Sequence, residues 1–570
     1  VAMTGQGGWP MTCFLTPDAA PFHCGTYFPP TPRHGMPSFP QLLAAVTEAW
    51  AHRRDEVTAA GSSVVAELER AVGSLPAGTV DAGVLHGAAA AVLRDVDAQH
   101  GGFGGAPKFP PTLVLEALLR HYERTGSDPA LAVVVRTAEA MARGGIHDQL
   151  AGGFSRYSTD AAWVVPHFEK MLYDNALLLR MYAHLYRVTN AVPALRTAES
   201  TAAFLLTELH TQANGFASAL DADTDGVEGL TYAWTPAQLV DVLGDDDGAW
   251  AAQLLEVTAG GTFEHGSSVL QLLADPDDAQ RWSRVRAALL AARAQRPQPG
   301  RDDKVVTAWN GLAITALAEA GSALQRPDWV QAAASCAEHL LSTHLVDGRL
   351  RRSSLGGRVG MAAGVLDDHA SLAMGLLALH QATGELHWLE RGCELVDLAL
   401  RHFLDPTEPG AWFDTADDAE TLVRRPRDPT DGVTPSGASA MAEVLQAAAA
   451  LADPTRSARY AEAAAATLAR AGVLLARAPR SAGHWWSVAE AAERGPLQVA
   501  VVGGGSLLST ARKHAPGGSV IVGGAPDAAP LLAGRERVDG ASAAYVCRGF
   551  VCDRPVTAEA ELVQLLRRPD

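Results

Sequence analysis

Gly101-Gly102-Phe103, Gly152-Gly153-Phe154, Asn214-Gly215-Phe216, Asp347-Gly348-Arg349-Leu350, Gly410-Ala411-Trp412-Phe413 and Gly483-His484-Trp485-Trp486 are six versions of one phrase, a glycine-bearing turn followed by a bulky apolar residue. They recur roughly every 50 to 75 residues, with one longer gap that holds an insertion, and such a period marks repeated supersecondary units. Long stretches with apolar residues at three- and four-residue spacing lie between them, so each unit reads as a pair of helices that must stack on its neighbours to bury its apolar stripes. Six such hairpins close into a ring. The pattern predicts helices near 81 to 99, 111 to 125, 129 to 144, 167 to 188, 193 to 210, 305 to 323, 327 to 345, 366 to 383, 386 to 403, 437 to 452, 454 to 476 and 487 to 494. Pro193, Pro327 and Pro454 fall in first turns and Ser436 stands before a helix, as starts require. The insertion covers 217 to 303, is acidic at Asp245-Asp246-Asp247 and ends at the linker Pro297-Gln298-Pro299-Gly300.

Outward from the ring, both ends change character. Met11 to Leu15 and Pro21 to Tyr27 are strand-like runs around the turn Thr16-Pro17-Asp18-Ala19, which predicts a β-hairpin, and helical spacing follows from Phe39 to Val72. Leu497 to Val502, Ser519 to Val522 and Ala544 to Val551 are buried-type strands separated by glycines and short helical stretches, the signature of a small α/β module. The expected division is 1–75, 76–495 with its insertion, and 496–570.

At 570 residues the chain exceeds what one core supports. Its formal net charge of −18, with no dense basic block, argues against nucleic acid, and no apolar run is long enough for a membrane span. Six cysteines without a Cys-x-x-Cys pair argue against a disulfide framework or a zinc site, so no metal and no cofactor are expected, Cys547 and Cys552 read as quietly buried thiols, and the cytoplasm is the expected compartment. Gly503-Gly504-Gly505 lacks the third glycine of a dinucleotide loop, because Leu508 takes its place. Asp221-Ala222-Asp223-Thr224-Asp225-Gly226 begins like a calcium loop, but Tyr232 stands where the twelfth-position carboxylate belongs.

Only four of the 46 basic residues are lysines, and three of them, Lys108, Lys170 and Lys304, sit in the most unusual loops. A compact ammonium that sheds its proton when buried is not interchangeable with arginine, which makes these three candidates for function. On a helix starting near Pro166, His167, Lys170 and Asp174 share one face and form an acid/base stripe, with His147 and Asp148 nearby in sequence. Asp368 and His369 make a second candidate pair. Arg156, Tyr157, Glu169, Asn175, Asp221, Asp223, Lys304, Trp309, Asn310, Asp431 and Lys108 are the expected substrate-binding groups. Aromatic faces cover sugar rings while carboxylates, amides and ammonium groups hold hydroxyls, so the implied partner is a small sugar-like ligand. Asp and Ser at helix starts also serve as ordinary N-caps, and that reading stands beside the functional one for Asp367 and Ser436.

Gly7-Gly8-Trp9-Pro10-Met11-Thr12, Gly25-Thr26-Tyr27-Phe28-Pro29, Gly104 to Pro110, His167 to Asn175 and Thr307-Ala308-Trp309-Asn310-Gly311 stand together in this chain. In that combination it resembles the spermatogenesis-associated protein 20-like, thioredoxin-domain-containing family. The resemblance implies a thioredoxin-like domain ahead of an (α/α)6 barrel of the six-hairpin glycosidase type, similar to sugar 2-epimerases. It also implies that Trp9-Pro10 matches a cis-proline loop facing a Cys-x-x-Cys pair. No such pair precedes Gly7 here, so the segment reads as a truncated thioredoxin-like half-domain. The expected activity is sugar epimerisation or isomerisation by proton transfer. Glycoside hydrolysis through Asp174, Asp221 and Asp368, or ligand binding by a thiol-redox adaptor, are the alternatives.

Overall fold

The computed structural model describes residues 7–8, 10–33, 35–71, 75–549 and 551–567; Trp9, and with it the expected cis-proline loop, lies outside them. The chain divides into two compact units, 1–75 together with 413–427, and 76–412 together with 428–570.

In the first unit, β1 (Thr12–Leu15) and β2 (Pro21–Gly25) pair antiparallel with Cys13 opposite Cys24. Helix α1 (Phe39–His52) begins at a capping box, in which the Ser38 side chain accepts from the Gln41 N–H and the Gln41 side chain accepts from the Ser38 N–H. Helix α2 (Arg54–Ala71) follows and packs on β2. The 413–427 segment joins this unit where Arg424 donates to the carbonyl of Leu68.

The second unit is the mainly α ring that the repeats predict. Its helices are α3 (Ala82–Arg94), α4 (Thr112–Thr125), α5 (Asp128–Arg143), α6 (Leu172–Thr189), α7 (Val192–Phe204), then α8 (Pro236–Leu243), α9 (Asp245–Leu254) and α10 (Ala279–Arg293) of the insertion. After these come α11 (Thr307–Ala323), α12 (Pro327–Thr343), α13 (Leu366–Thr383), α14 (Leu386–His402), α15 (Gly437–Leu451), α16 (Pro454–Leu468), α17 (Gly472–Arg477) and α18 (Gly483–Arg494). Helices α4, α6, α11, α13, α15 and α18 each pack on the next, and α18 returns to α4, so six inner helices close an (α/α)6 barrel. The outer helices are amphipathic: α14 turns Trp388, Leu389, Gly392, Cys393, Val396 and Ala399 inward at helical spacing. Inner helices are buried nearly all round, and α11 approaches α13 so closely that a Cβ at Gly311 would lie 2.5 Å from the carbonyl carbon of Ser371.

After each of the first five outer helices the chain folds into one of the glycine turns. Val96 bridges Phe103, His147 bridges Phe154, His210 bridges Phe216, Leu345–Val346 pairs with Arg349–Leu350, and Leu404 bridges Trp412. Gly152 and Gly153 take φ of 82° and 79°, and a Cβ on Gly153 would meet the Phe204 ring at 2.5 Å. The sixth phrase differs, because Gly483-His484-Trp485-Trp486 is the first turn of α18 rather than a loop.

The end of the chain forms a four-stranded sheet in the order Val520–Gly524, Leu497–Val502, Ala543–Arg548, Val551–Cys552, with the first pair parallel and the others antiparallel. Helices α19 (Ser506–His514) and α20 (Glu559–Arg567) pack against it over a core of Leu497, Val499, Val501, Val546 and Leu562. Cys547 and Cys552 are joined as a disulfide between adjacent strands, which corrects the expectation of quiet thiols, because the antiparallel register sets them opposite each other. Among the described residues no helix is long and apolar enough to cross a membrane.

Candidate functional site at the amino-terminal mouth of the barrel

All six inner helices begin at the same end of the barrel, so the loops preceding them gather there. The sequence places a helix start at Pro166, but α6 begins at Leu172. The reason is tertiary. β3 (Tyr157–Ser158) pairs with β4 (Pro166–His167), and β5 (Lys170–Met171) pairs with Ala219–Leu220 of the insertion. The Glu169 carbonyl accepts from Arg156 N–H, and Leu172 N–H is spent on Ser218. Strand pairing with distant segments therefore takes the backbone groups that a helix needs, and His167, Lys170 and Asp174 do not share a helical face.

What gathers instead is an aromatic and acidic cluster. The Tyr157 and His167 rings stack at 4.9 Å, and Phe109 lies 4.8 Å from Tyr157. His167 Nδ1 is 2.8 Å from Glu228 Oε1, and its Nε2 is 3.8 Å from Glu169. Arg156 donates to Glu169 at 2.8 Å. In the first turns of α6 and α11, Tyr173 and Trp309 meet edge to face at 4.8 Å. Asp174 is buried among these groups, and its Oδ2 has no hydrogen-bond partner among the described residues. Burial, with the Glu169 carboxylate adding, pushes the Asp174 carboxyl well above the usual range against the pull of Arg156. Burial likewise raises the Tyr173 phenol to about 12. His167, Glu169, Arg156 and Glu228 are each partly exposed, so the cluster faces solvent.

The other candidates occupy separate places. Lys170 is buried and donates to Asp148 at 2.8 Å and to the Gly152 carbonyl, and Arg293 donates to the other Asp148 oxygen at 2.8 Å. Burial opposes ionisation of Asp148, but Arg293 and Lys170 outweigh it and hold the carboxyl well below its usual value. His147 bonds Ser200 and is lowered to about 4 by burial, a neutral core imidazole. Lys108 is enclosed by Asp97 and the carbonyls of Gly101 and Ala161. Asn175 and Asn310 are loop clamps at equivalent repeat positions. Each amide accepts from the N–H and donates to the carbonyl of the phenylalanine in its own hairpin turn, Phe154 and Phe216 respectively. Asp368 accepts from the N–H groups of Ala308 and Val365 and pairs with Arg352, while burial and Asp367 push its carboxyl up. His369 is bonded to the Val365 carbonyl and lowered to about 4 by burial. Asp431 is saturated by the N–H groups of Ser436, His484 and Trp485 and the Ser439 hydroxyl. Asp221, Asp223 and Lys304 are exposed, Lys304 pairing with Asp302 at 3.0 Å.

Deeper in the barrel lies a charged network. Arg120 donates to Glu116 and Glu443, Arg180 to Glu319 and Glu443, and His184 bridges Glu116 and Glu319. Burial disfavours the charge on His184, yet Glu116 outweighs it and raises the imidazole. The same arginines border a cavity of about 120 Å³, walled toward the inner-helix C-termini by Arg512 and residues 515–521 of the terminal module.

A family profile described as "Thioredox_DsbH: Protein of unknown function, DUF255" matches residues 1–69. Uncharacterized protein B0495.5 of Caenorhabditis elegans is 29% identical, over 100% of this chain and 85% of its own length. Spermatogenesis-associated protein 20 of Mus musculus is 32% identical over 78% of this chain and 63% of its own length, and that of Homo sapiens is 29% identical over 99% and 80%. The similarity to spermatogenesis-associated protein 20 extends over most of this chain. Solved structures similar to this chain include an unsaturated glucuronyl hydrolase specific for heparin, at 13% identity, TM-score 0.43 and coverage of 72% of this chain and 96% of that one. A D-mannose isomerase follows at 12% identity, TM-score 0.44 and coverage of 67% and 84%.

The sequence patterns do not point to Tyr173 and Glu228 at the mouth or to most of the interior network. A signal for the network was present. Glu116 stands in the apolar run Leu113 to Leu119, and Arg180 and His184 stand four residues apart in the run Ala176 to Leu185, where a charge has no water to meet.

Proposed function

We propose that the mouth cluster carries out proton transfer on a carbohydrate-like polyhydroxy substrate, in the manner of an isomerase or epimerase. The observation that carries this reading is a contrast at the mouth: a buried carboxyl, Asp174, whose Oδ2 has no hydrogen-bond partner among the described residues and which burial pushes well above its usual range, and a solvent-facing imidazole, His167, oriented through Nδ1 by Glu228. A carboxyl that retains its proton can act as a general acid, and an imidazole with one nitrogen free can act as a general base. Asp174 is the acid that delivers a proton to a carbonyl or hydroxyl oxygen. His167 is the base that withdraws one from the adjacent carbon, with Glu228 fixing the tautomer that leaves Nε2 to act. Arg156 polarises the same oxygen, and Trp309 presents an aromatic surface to a sugar ring.

The Asp174–Glu169 environment supports a second, hydrolytic reading, in which Asp174 protonates a leaving oxygen and Glu169, stabilised by Arg156, serves as the second carboxylate.

The test is a thermal-shift screen of mono- and disaccharides, followed by incubation of any binder in deuterated water with NMR detection of carbon-bound exchange. Exchange that falls by a factor of about 100 or more in Asp174→Asn and in His167→Ala is the expected result. Reducing-end release without exchange selects hydrolysis. Binding of no saccharide, or full exchange in both variants, overturns the proposal.

A further inference from the structure

The amino-terminal hairpin carries two thiols that the barrel chemistry does not use. Cys13 on β1 and Cys24 on β2 are register partners, directly opposite each other across an antiparallel pair. Opposed residues in such a ladder hold their Cβ atoms about 4.5–5.5 Å apart, and a disulfide needs about 3.5–4.5 Å, so a small closing of the two strands suffices. That closing meets little resistance, since no residue of either strand is fully buried. Cys13 is exposed and Cys24 half-buried. The chain already contains a register-paired disulfide at Cys547–Cys552, between strands of the same antiparallel type. Cys336 and Cys393, by contrast, are buried in separate outer helices, α12 and α14.

We infer that Cys13 and Cys24 form a thiol–disulfide exchange site that closes to an intramolecular disulfide at the expense of a low-molecular-weight disulfide such as glutathione disulfide. The exposed Cys13 thiolate attacks one sulfur of the incoming disulfide, forming a mixed disulfide and releasing one thiolate. The Cys24 thiol then gives its proton to water and attacks the Cys13 sulfur, expelling the second thiolate. Two electrons pass from the pair to the small disulfide, which leaves as two thiols. The roles follow from the surroundings. Burial and the hydrogen bond to Cys13 push the Cys24 thiol up to about 11, so it is the slower attacker and serves to resolve the intermediate.

Both cysteines fall in the one tryptic peptide that ends at Arg33, since no lysine or arginine precedes it. The full chain is reduced, desalted, equilibrated in glutathione buffers of graded oxidised-to-reduced ratio, acid-quenched, alkylated under denaturing conditions and mapped by mass spectrometry. The expected product is this peptide lighter by two hydrogens and resistant to alkylation, while Cys336 and Cys393 remain alkylated. Cys24→Ser accumulates one glutathione on Cys13, and Cys13→Ser reacts at least about tenfold more slowly. A wild-type peptide that stops at the mixed disulfide, or stays fully alkylated at the most oxidising ratio, overturns the inference without reliance on any variant.

Discussion

The interior of the barrel and its amino-terminal mouth both concentrate charge, but they treat it in opposite ways. In the interior Glu116, Glu319 and Glu443 are each answered by Arg120, Arg180 or His184. At the mouth one carboxyl, Asp174, is buried with an oxygen unanswered, and its neighbours are partly wet. A satisfied network fixes a structure, whereas an unsatisfied buried group beside solvent is held at a cost that a ligand can offset.

The sharpest break of that contrast is Glu443→Gln. It removes the carboxylate charge that Arg120 and Arg180 share and leaves two buried guanidinium groups with less than they need, so urea unfolding should show a loss of about 3–5 kcal/mol. A loss below about 1 kcal/mol says the interior ions are better hydrated than their burial implies.

Asp174 should behave in the reverse sense. Its folded-state carboxyl is raised, so the folded protein holds a proton that the unfolded chain has released. Its contribution is therefore greatest at acid pH and is lost as pH climbs above the ordinary aspartate value, with a slope of at most about 1.4 kcal/mol per pH unit. Asp174→Asn, which mimics the protonated acid, should match wild type near pH 4 and exceed it in thermal midpoint at pH 7 to 8. Equal midpoints at all pH values place Asp174 in a satisfied environment and erase the difference between the two regions.

The smallest effect is expected from Arg156→Met. The Arg156–Glu169 pair is partly exposed, and pairs of that kind contribute about 0.2–1 kcal/mol. In the proposed chemistry the same change should depress the rate, so the split between a small stability change and a large activity change separates a working site from a structural one.

Much of the ring was legible because its two signals are local: glycine turns that need positive φ, and apolar spacing along each helix. Eleven expected helices begin within a few residues of their observed starts, and the exception near 167 failed for a nonlocal reason, the capture of 166–171 by 156–158 and 218–220. The candidate site was half legible. Motif density brought out Arg156, Tyr157, His167, Glu169, Asp174 and Trp309, but it equally brought out Lys108, Lys170, Asn175 and Asn310, whose work is to clamp loops. A buried lysine that ties up carbonyls and one that binds a substrate look alike in sequence, because burial is decided by elements far away. Glu228 comes from the insertion and carried no pattern at all. Glu116 and Arg120 went unread because their spacing of four residues does not say which side of a closed ring they face.

The contact of α18 with α4 has a consequence for how the chain is made. His121 and Glu490, partners across that contact at 2.7 Å, are separated by 369 positions. At about 5–20 residues per second the nascent helix that carries His121 waits roughly 20 to 75 seconds on the ribosome for its mate. Until the last hairpin emerges the barrel is an open arc with an unsealed seam, and its future interior is wet. Premature termination anywhere before Gly483 thus disables the whole annulus rather than trimming one repeat from it.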